Sequence, residues 1–216
     1  MNQKRILVLI DGFNYYHKLT QYQKRHNICV KWLDYMSLLQ AAIRKHIKTE
    51  NFELEIIFFS AIATHRSPES QHRHRTYLKA LQLSGLKIVL GEFKEKYIYP
   101  CKDCQQKSLS DKILKHEEKH TDVNIAITLL EKAMLDSFDR AYLLSEDNDY
   151  VPVVKRVKEL CPNKEIIICP PPQRSYYVHN LLQASGESDF YRFRWNQIKH
   201  FQFPNNFQGL SNPWQI

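Results

Sequence analysis

Residues 139–150 of the chain read DRAYLLSEDNDY, a short apolar run that ends in a cluster of acidic and amide side chains. The apolar part has the length and composition of a buried strand at residues 141–145. A second run of this kind, RILVLI at residues 5–10, is followed directly by Asp11 and Gly12. Both runs predict strands that carry carboxylates at their carboxyl ends.

Strands and helices alternate along the rest of the sequence. Further strands are predicted at residues 53–60, 86–93 and 164–169, and helices at about 14–24, 33–47, 68–84, 122–136, 149–160 and 175–184. This alternation predicts βαβ units, which form a mostly parallel sheet with helices on both faces. We expect one α/β domain over residues 1–216, with an irregular excursion at about 94–116. Strand-like alternation occurs at 190–195 (FYRFRW), and an irregular tail begins at about 196.

The bulk composition excludes several classes of protein. A chain of 216 residues with 43% hydrophobic side chains suits one folded domain. Five glycines and no GxxxxGK[ST] motif argue against a phosphate-binding loop. No apolar run reaches about 18 residues, and the first apolar stretch is too short for a signal peptide. We therefore expect a soluble, cytoplasmic protein with no membrane partner and with reduced cysteines.

The net charge of +8 is unevenly distributed along the chain. Ten of the 23 acidic residues but only five of the 31 basic ones lie between Asp111 and Asp149. A basic body around an acidic centre suits a protein that binds a polyanion and holds cations at that centre. The alternative is a surface that is basic without any specific role.

Carboxylates from three distant segments are predicted to meet at one edge of the sheet. Asp11, Asp147 and Asp149 follow strands, and Asp122 begins a helix for which Thr121 is a candidate N-cap. Helices run antiparallel to their neighbouring strands in βαβ units, so the start of this helix should lie at the carboxyl ends of the strands. Taken singly, each aspartate could instead form a turn or cap a helix.

The predicted proximity of these carboxylates favours a bound cation. Several close carboxylates repel one another and raise each other's pKa unless a cation neutralises them. Mg²⁺ and Mn²⁺ prefer oxygen ligands. Such an ion can orient phosphates, activate a water and stabilise the leaving oxygen in phosphodiester hydrolysis. The pattern therefore predicts a metal-dependent acidic site without fixing the reaction.

The chain resembles the NYN domain, a branch of the PIN-like nuclease superfamily that includes LabA-like proteins. The matching stretches are ILVLIDGFNYY, EEKHTDVNIAITLLEKA and LLSEDNDYVPVVKRVKEL, with further similarity in RTYLKAL, KIVLGEFKEK and IIICPPPQRS. The resemblance covers nearly the whole chain. It implies a Rossmann-like, PIN-like three-layer fold and the activity of a metal-dependent ribonuclease.

The resemblance also implies a set of site residues. The metal-binding carboxylates would be Asp11, Asp122, Asp147 and Asp149. Asn14 would be the polar residue beside the first aspartate, where its amide could orient a phosphate or a metal-bound water. The alternative for Asn14 is a helix N-cap.

Two glutamates, Glu118 and Glu146, lie near these motifs. Glu118 is either a further acidic member of the site or a surface carboxylate. Family members often read SGDSD where this chain reads SEDND, so Glu146 replaces a glycine and Asn148 a serine. Both aspartates remain, but Glu146 adds charge near the predicted metal.

The excursion contains a possible structural zinc site. Cys101, Cys104 and His116 have the spacing of zinc ligands, with His120 or His65 as the fourth. Relatives also carry a CxxC before the EEK motif. The alternative is two reduced thiols on the surface near a histidine.

Basic and aromatic residues suggest where a nucleic acid would bind. A basic cluster surrounds the start of the third helix: His65, Arg66, His72, Arg73, His74 and Arg75. Arg174 follows the fifth strand and should lie near the acidic edge. These residues could hold phosphates that flank the cleaved bond. The tyrosines that could stack on unpaired bases or pack on the sheet are Tyr15, Tyr16, Tyr176 and Tyr177.

The acidic site and the resemblance together predict a Mg²⁺- or Mn²⁺-dependent ribonuclease, and the charge and the resemblance imply that it acts on single-stranded RNA. The alternative is a catalytically weak RNA- or protein-binding regulatory module on the same fold. The RNA sequence, the number of metal ions and the choice between endo- and exonucleolytic cleavage stay open. A homo-oligomer is compatible with the sequence.

Overall fold

The computed structural model describes residues 3–98, 112–172, 178–186 and 191–215. The strands in these ranges are β1 (Lys4–Asp11), β2 (Phe52–Ala61), β3 (Lys87–Ile98), β4 (Ile113–Lys119), β5 (Arg140–Leu144), β6 (Glu165–Ile168), β7 (Asn206–Phe207) and β8 (Leu210–Ser211). The helices are α1 (Gly12–His26), α2 (Tyr35–Ile47), α3 (Pro68–Leu83), α4 (Thr121–Met134), α5 (Val151–Leu160), α6 (His179–Ser185) and α7 (Trp195–His200). Within the described ranges, no helix is long and apolar enough to cross a membrane.

The central sheet is six-stranded, in the order β4-β3-β2-β1-β5-β6. β1 lies in its interior, parallel to β2 on one side and to β5 on the other. β3 and β6 extend the parallel arrangement outwards, and β4 runs antiparallel to β3 at the edge. The prediction of an α/β fold with a mostly parallel sheet is confirmed.

β1 is buried on both faces because its side chains alternate between two hydrophobic cores. Ile6, Val8 and Ile10 belong to the core that contains residues of α1, α2 and α3. Leu7 and Leu9 belong to the other core, with residues of α4, α5 and α6. A continuously apolar strand is what a parallel sheet covered on both faces requires. The helices therefore form two layers around the sheet.

The described ends of the segment predicted to be an irregular excursion belong to a two-stranded arm. β3 continues to Ile98 and β4 begins at Ile113, with pairs that run from Glu92 opposite Lys119 to Ile98 opposite Ile113. The sequence failed to predict the arm because its strands alternate polar with weakly apolar residues and bury little. Residues 99–111 lie outside the described part of the chain.

The C-terminal tail, predicted to be irregular, contains α7 and the small β7–β8 ladder. Trp32 anchors the tail, since its indole N–H donates to the Pro204 carbonyl at 2.9 Å and its own carbonyl accepts from Phe203 at 2.9 Å. The strand predicted within 190–195 is also wrong: residues 191–194 have no regular structure, and Trp195 begins a helix. Its alternating aromatics reflect packing onto the core.

The glycine that follows β1 permits the close packing of α1 on β2. A Cβ atom at Gly12 would lie 2.5 Å from the Phe59 carbonyl oxygen and 2.7 Å from the Phe58 ring. Gly12→Ala should therefore lower the free energy of unfolding by roughly 1–3 kcal/mol, measured by urea denaturation. The control Gln21→Ala, on the exposed side of the same helix, should change it by less than about 0.5 kcal/mol. Equal stability of the two variants would contradict this account.

Candidate active site at the carboxyl edge of the sheet

Asp11 is the centre of the candidate site and also the N-cap of α1. It ends β1, is 5% exposed, and its Oδ1 accepts from the Asn14 backbone N–H at 3.0 Å. Its Oδ2 accepts from the Ser145 hydroxyl at 3.0 Å. The end of β1 thus carries a buried carboxylate that both α1 and the segment after β5 hold in place.

Tyr150 joins Asp11 to Asp122. Its hydroxyl oxygen lies 2.7 Å from Asp122 Oδ1 and 3.2 Å from Asp11 Oδ2. A hydroxyl carries one proton, so two ionised carboxylates cannot both accept from it fully. The negative charge of the two carboxylates is therefore balanced only when a proton or a cation lies among these oxygens. The predicted meeting of Asp11 and Asp122 is present in the structure.

Glu118 is a third carboxylate of this group. It lies on β4, is half-buried, and accepts a hydrogen bond from the Thr121 hydroxyl. Burial, with smaller contributions from the charges of Asp11 and Asp122, raises the pKa of Glu118 to about 7. Burial likewise raises the pKa of Asp11 to about 6, with Asp122 adding to the effect and the bond from the Asn14 N–H opposing it. These shifts are what crowded carboxylates produce.

Asp147 and Asp149 lie in a single 3₁₀ turn that follows β5. The Asp147 N–H donates to the Ser145 hydroxyl oxygen at 3.1 Å, and Asp147 Oδ1 accepts from the Asp149 N–H at 3.0 Å. Asp147 thereby caps the turn, and Asp149 is exposed. Asp147 is linked to Asp11 through Ser145. In the described ranges, no hydrogen bond joins the Asp149 carboxylate to Asp11, Asp122 or Glu118.

Asn14 and Glu146 tie α1 to the segment after β5. Asn14 Oδ1 accepts from the Glu146 N–H at 3.3 Å, and Glu146 Oε1 lies 2.8 Å from Lys18 Nζ. The Glu146 side chain is 12% exposed. The extra charge of Glu146 is therefore balanced by a lysine of α1. The alternative that Asn14 is an N-cap is wrong, because Asp11 occupies that position.

The start of α4 differs in detail from the prediction. His120, with φ of 76°, is the N-cap and makes no capping bond through its side chain. Thr121 is the first residue of the helix rather than its cap, and its hydroxyl is directed to Glu118 instead. Asp122 in the first turn interacts favourably with the helix dipole as well as with Tyr150.

Next to the carboxylates lies a groove of about 630 Å³. Gly12 and Glu118 belong to its lining. Its other walls carry basic and aromatic side chains from α1, α3, β3, β4, the loops after α1 and β2, and the tail, which include Phe13, Tyr16, Lys31, His65, Arg66, Arg73, His74, Phe93, His116 and Trp214. Burial lowers the pKa of His74 to about 4 and, together with the charge of His116, lowers the pKa of His65, so these two histidines add no positive charge to the groove at neutral pH.

The structure separates the residues predicted to bind substrate. Arg73 lines the groove, whereas Arg75, two residues along α3, is exposed and lies outside the lining. Tyr15 is fully buried and donates its hydroxyl to the Cys169 carbonyl at 2.8 Å, so the prediction that it stacks on a base is wrong. The neighbouring Tyr16 lines the groove. Arg174, Tyr176 and Tyr177 lie outside the described residues.

The predicted zinc site falls mostly outside the described chain. Cys101 and Cys104 are in the range 99–111, so zinc binding stays a prediction. His116 stacks on His65 with ring centroids 4.0 Å apart. His120 instead lies 3.5 Å from a carboxylate oxygen of Glu92. Of the two candidates for fourth ligand, His65 is the one in contact with His116.

The candidate Mg²⁺ or Mn²⁺ ligands are oxygen atoms of a type that suits these ions. Burial is the main cause of the raised pKa of Asp11 and Glu118, and the charge of Asp122, which adds to it at both, is what a cation would offset. Within the ranges that the structure describes, no three His, Cys, Asp or Glu side chains already form a group that could hold one metal ion. The donor chemistry fits such an ion.

Sequence reasoning missed Ser145 and Tyr150, although both lie in the segment SEDNDY. Ser145 comes directly after β5, and its hydroxyl links Asp11 to Asp147. Tyr150 is 1% exposed and joins Asp11 to Asp122. A buried tyrosine beside several carboxylates needs a hydrogen-bond acceptor, and that requirement could have drawn attention to it.

The raised pKa of Glu118 predicts a pH-dependent stability. The folded state holds its proton to about pH 7, against 4.5 for the free side chain. The stabilisation by this proton is present below the unfolded pKa and is lost as the pH rises through the folded one. Glu118→Gln, which does not titrate, should therefore gain stability relative to the unmodified protein between about pH 5 and pH 8. Urea denaturation in a chelating buffer measures this.

Glu117→Gln is the matched control on the same strand. A hydrogen bond from Lys119 lowers the pKa of Glu117, so its side chain is already ionised at pH 5 in both states. Its stability difference from the unmodified protein should stay constant over the same range. A constant difference for Glu118→Gln as well would contradict the burial of a protonated Glu118.

Comparison with known proteins agrees with the fold and names the family. A search of curated protein sequences found no match. The crystal structure of VPA0982, a protein of unknown function from Vibrio parahaemolyticus, is similar with a TM-score of 0.54 and 20% identity, over 88% of this chain and 93% of that one. At that identity the similarity concerns the fold alone. The sequence model of the NYN domain, which belongs to the PIN-like nuclease superfamily, matches residues 5–181. This range contains the whole central sheet and every carboxylate described above, so the chain belongs to the NYN domain family.

Proposed function

We propose that the protein is a metal-dependent ribonuclease that hydrolyses phosphodiester bonds in single-stranded RNA. The observation that carries the proposal is the Tyr150 hydroxyl within hydrogen-bonding distance of both Asp11 and Asp122. It brings together two carboxylates from separate elements at the edge where parallel α/β folds bind ligands. NYN nucleases act on RNA, which supports this choice of substrate.

The cation would be held by Asp11 and Asp122, with Asp147 and Asp149 contributing from the turn after β5. When bound, Mg²⁺ or Mn²⁺ supplies charge stabilisation for a phosphate and lowers the pKa of a water molecule. The Ser145 hydroxyl and the Asn14 N–H fix the orientation of the Asp11 carboxylate. Tyr150 does the same for Asp122. These contacts hold the Asp11 and Asp122 carboxylates in fixed orientations before a cation binds.

Glu118 is the candidate proton acceptor. A group with a pKa of about 7 is suited to proton transfer at neutral pH. In the proposed hydrolysis a water molecule attacks phosphorus and its proton passes to the Glu118 carboxylate, while the bond from phosphorus to the leaving oxygen breaks and that oxygen takes up a proton from solvent. The Thr121 hydroxyl, which donates to Glu118, holds the carboxylate in position.

A second candidate is an RNA- or protein-binding module with little or no turnover. Asp11 is 5% exposed and its oxygens already accept from Asn14, Ser145 and Tyr150. A carboxylate with that many protein partners could also serve to hold α1, β5 and α5 together. The two functions differ in whether RNA is cleaved when metal is added.

Cleavage of labelled single-stranded RNA tests the proposal. Asp11→Asn should reduce Mn²⁺-stimulated cleavage by about a hundredfold or more, because a neutral amide is a poor ligand for the cation. Asp136→Asn is the control at the opposite end of β5, where φ of 50° suits asparagine. It should keep the rate of the unmodified protein. Cleavage that needs no metal, or equal cleavage by Asp11→Asn, would contradict the proposal, and RNA binding without cleavage would favour the second candidate.

Tyr150→Phe tests how the site is tuned. The hydrogen bond from Tyr150 lowers the pKa of Asp11 against the larger effect of burial, so its loss should raise that pKa. The acid limb of the profile of kcat/KM against pH should move to higher pH, with activity recovering in alkaline buffer. A rate that falls equally at all pH values would contradict this role.

A further inference from the structure

The C-terminal tail completes one wall of the groove. Trp214 lies beyond the NYN match, which ends at residue 181, yet it lines the groove together with Tyr16 and Tyr77. Its ring centroid is 5.4 Å from that of Tyr77, at an angle of 74°. Trp32, at a centroid distance of 6.3 Å, supports it from within. The tail therefore presents an aromatic ring at a fixed place beside the family's sheet edge.

A lysine is held against this aromatic wall. The Lys31 ammonium lies 5.2 Å from the Trp214 ring and 5.6 Å from the Tyr16 ring. Burial lowers the pKa of Lys31, and the charge of nearby Arg73 lowers it further. Two cations are thus close together in a half-buried groove.

Neither cation forms an ion pair with a carboxylate of the described chain, although Glu69 lies one turn before Arg73 on α3 and interacts with its charge. In the ranges that the structure covers, no ion pair within 4.0 Å joins Lys31 or Arg73 to an acidic side chain. Lysines and arginines that face a groove without a partner are suited to phosphate oxygens. The charge of the groove therefore calls for an anionic ligand.

The size and the walls of the groove narrow the class of that ligand. Its volume of about 630 Å³ is that of a pocket for a small ligand or one unit of a polymer. Aromatic side chains at the groove are Phe13, Tyr16, Phe93 and Trp214. Such side chains bind the flat faces of unpaired bases. A ligand with both a base and a phosphate would satisfy the aromatic and the cationic walls together.

We propose that this groove binds one nucleoside monophosphate unit of an unpaired RNA strand, with the base against the aromatic wall and the phosphate at Lys31 and Arg73. The inference rests on the proposed ribonuclease function and locates a substrate subsite. Gly12 and Glu118, which line the groove, place this subsite next to the carboxylates. The tail beyond the NYN match thereby takes part in recognition of the substrate.

Binding of free nucleotides tests the subsite without cleavage. Adenosine and uridine 5′-monophosphate, titrated into the whole chain in EDTA by calorimetry, should both bind. Ribose 5-phosphate, which has no base, should bind about tenfold more weakly, because base stacking contributes on that order. Equal binding of ribose 5-phosphate would overturn the aromatic part of the proposal.

Substitutions in the groove test which side chains contact the nucleotide. Trp214→Ala should weaken nucleotide binding by about tenfold, and Trp214→Phe, which keeps a ring, should restore most of it. Lys31→Ala and Arg73→Ala should each weaken binding by about tenfold or more. Arg75→Ala, the matched arginine of α3 outside the groove, should bind within about twofold of the unmodified protein. If Trp214→Ala unfolds, the lysine and arginine variants decide, and unchanged binding by both overturns the proposal.

The two proposals fail in distinguishable ways. Metal-stimulated cleavage of RNA by a protein that does not bind free nucleotides would refute the subsite and leave the ribonuclease function standing. Nucleotide binding that depends on Lys31 and Trp214, with no cleavage in Mn²⁺, would refute the ribonuclease function and leave the subsite. Cleavage by the Arg73→Ala variant with an unchanged KM would also count against the subsite.

Discussion

The burial of a carboxylate at the end of the central strand is the constraint on which the site depends. Asp11 leaves water almost completely, which disfavours its charged form. The hydroxyl of Ser145 can reach it because Ile10 of β1 pairs with Leu144 of β5, so the two strands end side by side. The parallel register of β1 and β5 therefore also determines which donors reach Asp11. A slip of either strand would leave a buried carboxylate without its partners.

The same constraint gives a reason for the departure from the family pattern at Glu146. The further negative charge of Glu146 beside a crowded group of carboxylates would add to their repulsion. The short contact of Glu146 with Lys18 balances that charge locally, and the bond from its N–H to Asn14 fixes the backbone. The substitution thus exchanges a flexible glycine for a link between α1 and the segment after β5. A preorganised site benefits from such a link, because its carboxylates lose less freedom when a cation binds.

The sequence was sufficient to predict which edge of the sheet carries the carboxylates, but not which side chains form hydrogen bonds with them. Apolar runs that lead into aspartate predict the strands. The chain direction of the strands and helices then predicts the side of the sheet where Asp11 and Asp122 meet. The bridging hydroxyl of Tyr150 could not be predicted in this way, because its position depends on the turn that follows β5. Tyr15 was misassigned because helical phase decides which side chain faces the core, and Tyr15 and Leu19 are one turn apart on that face. The β3–β4 arm buries too little apolar surface to leave a periodic pattern.

Chemistry and recognition are thus encoded in different parts of the chain. The carboxylates lie on the strands and helix starts of the NYN domain, where the fold fixes them to one another. The aromatic wall of the groove depends on a tail that Trp32 anchors through main-chain hydrogen bonds to residues 203 and 204. Those bonds hold the tail through backbone atoms, and the ring at position 214 packs on the edge of the core against Tyr77. The tail and the acidic centre are connected only through the residues that line both the groove and the centre. The base that the tail recognises can therefore change while the carboxylates stay the same.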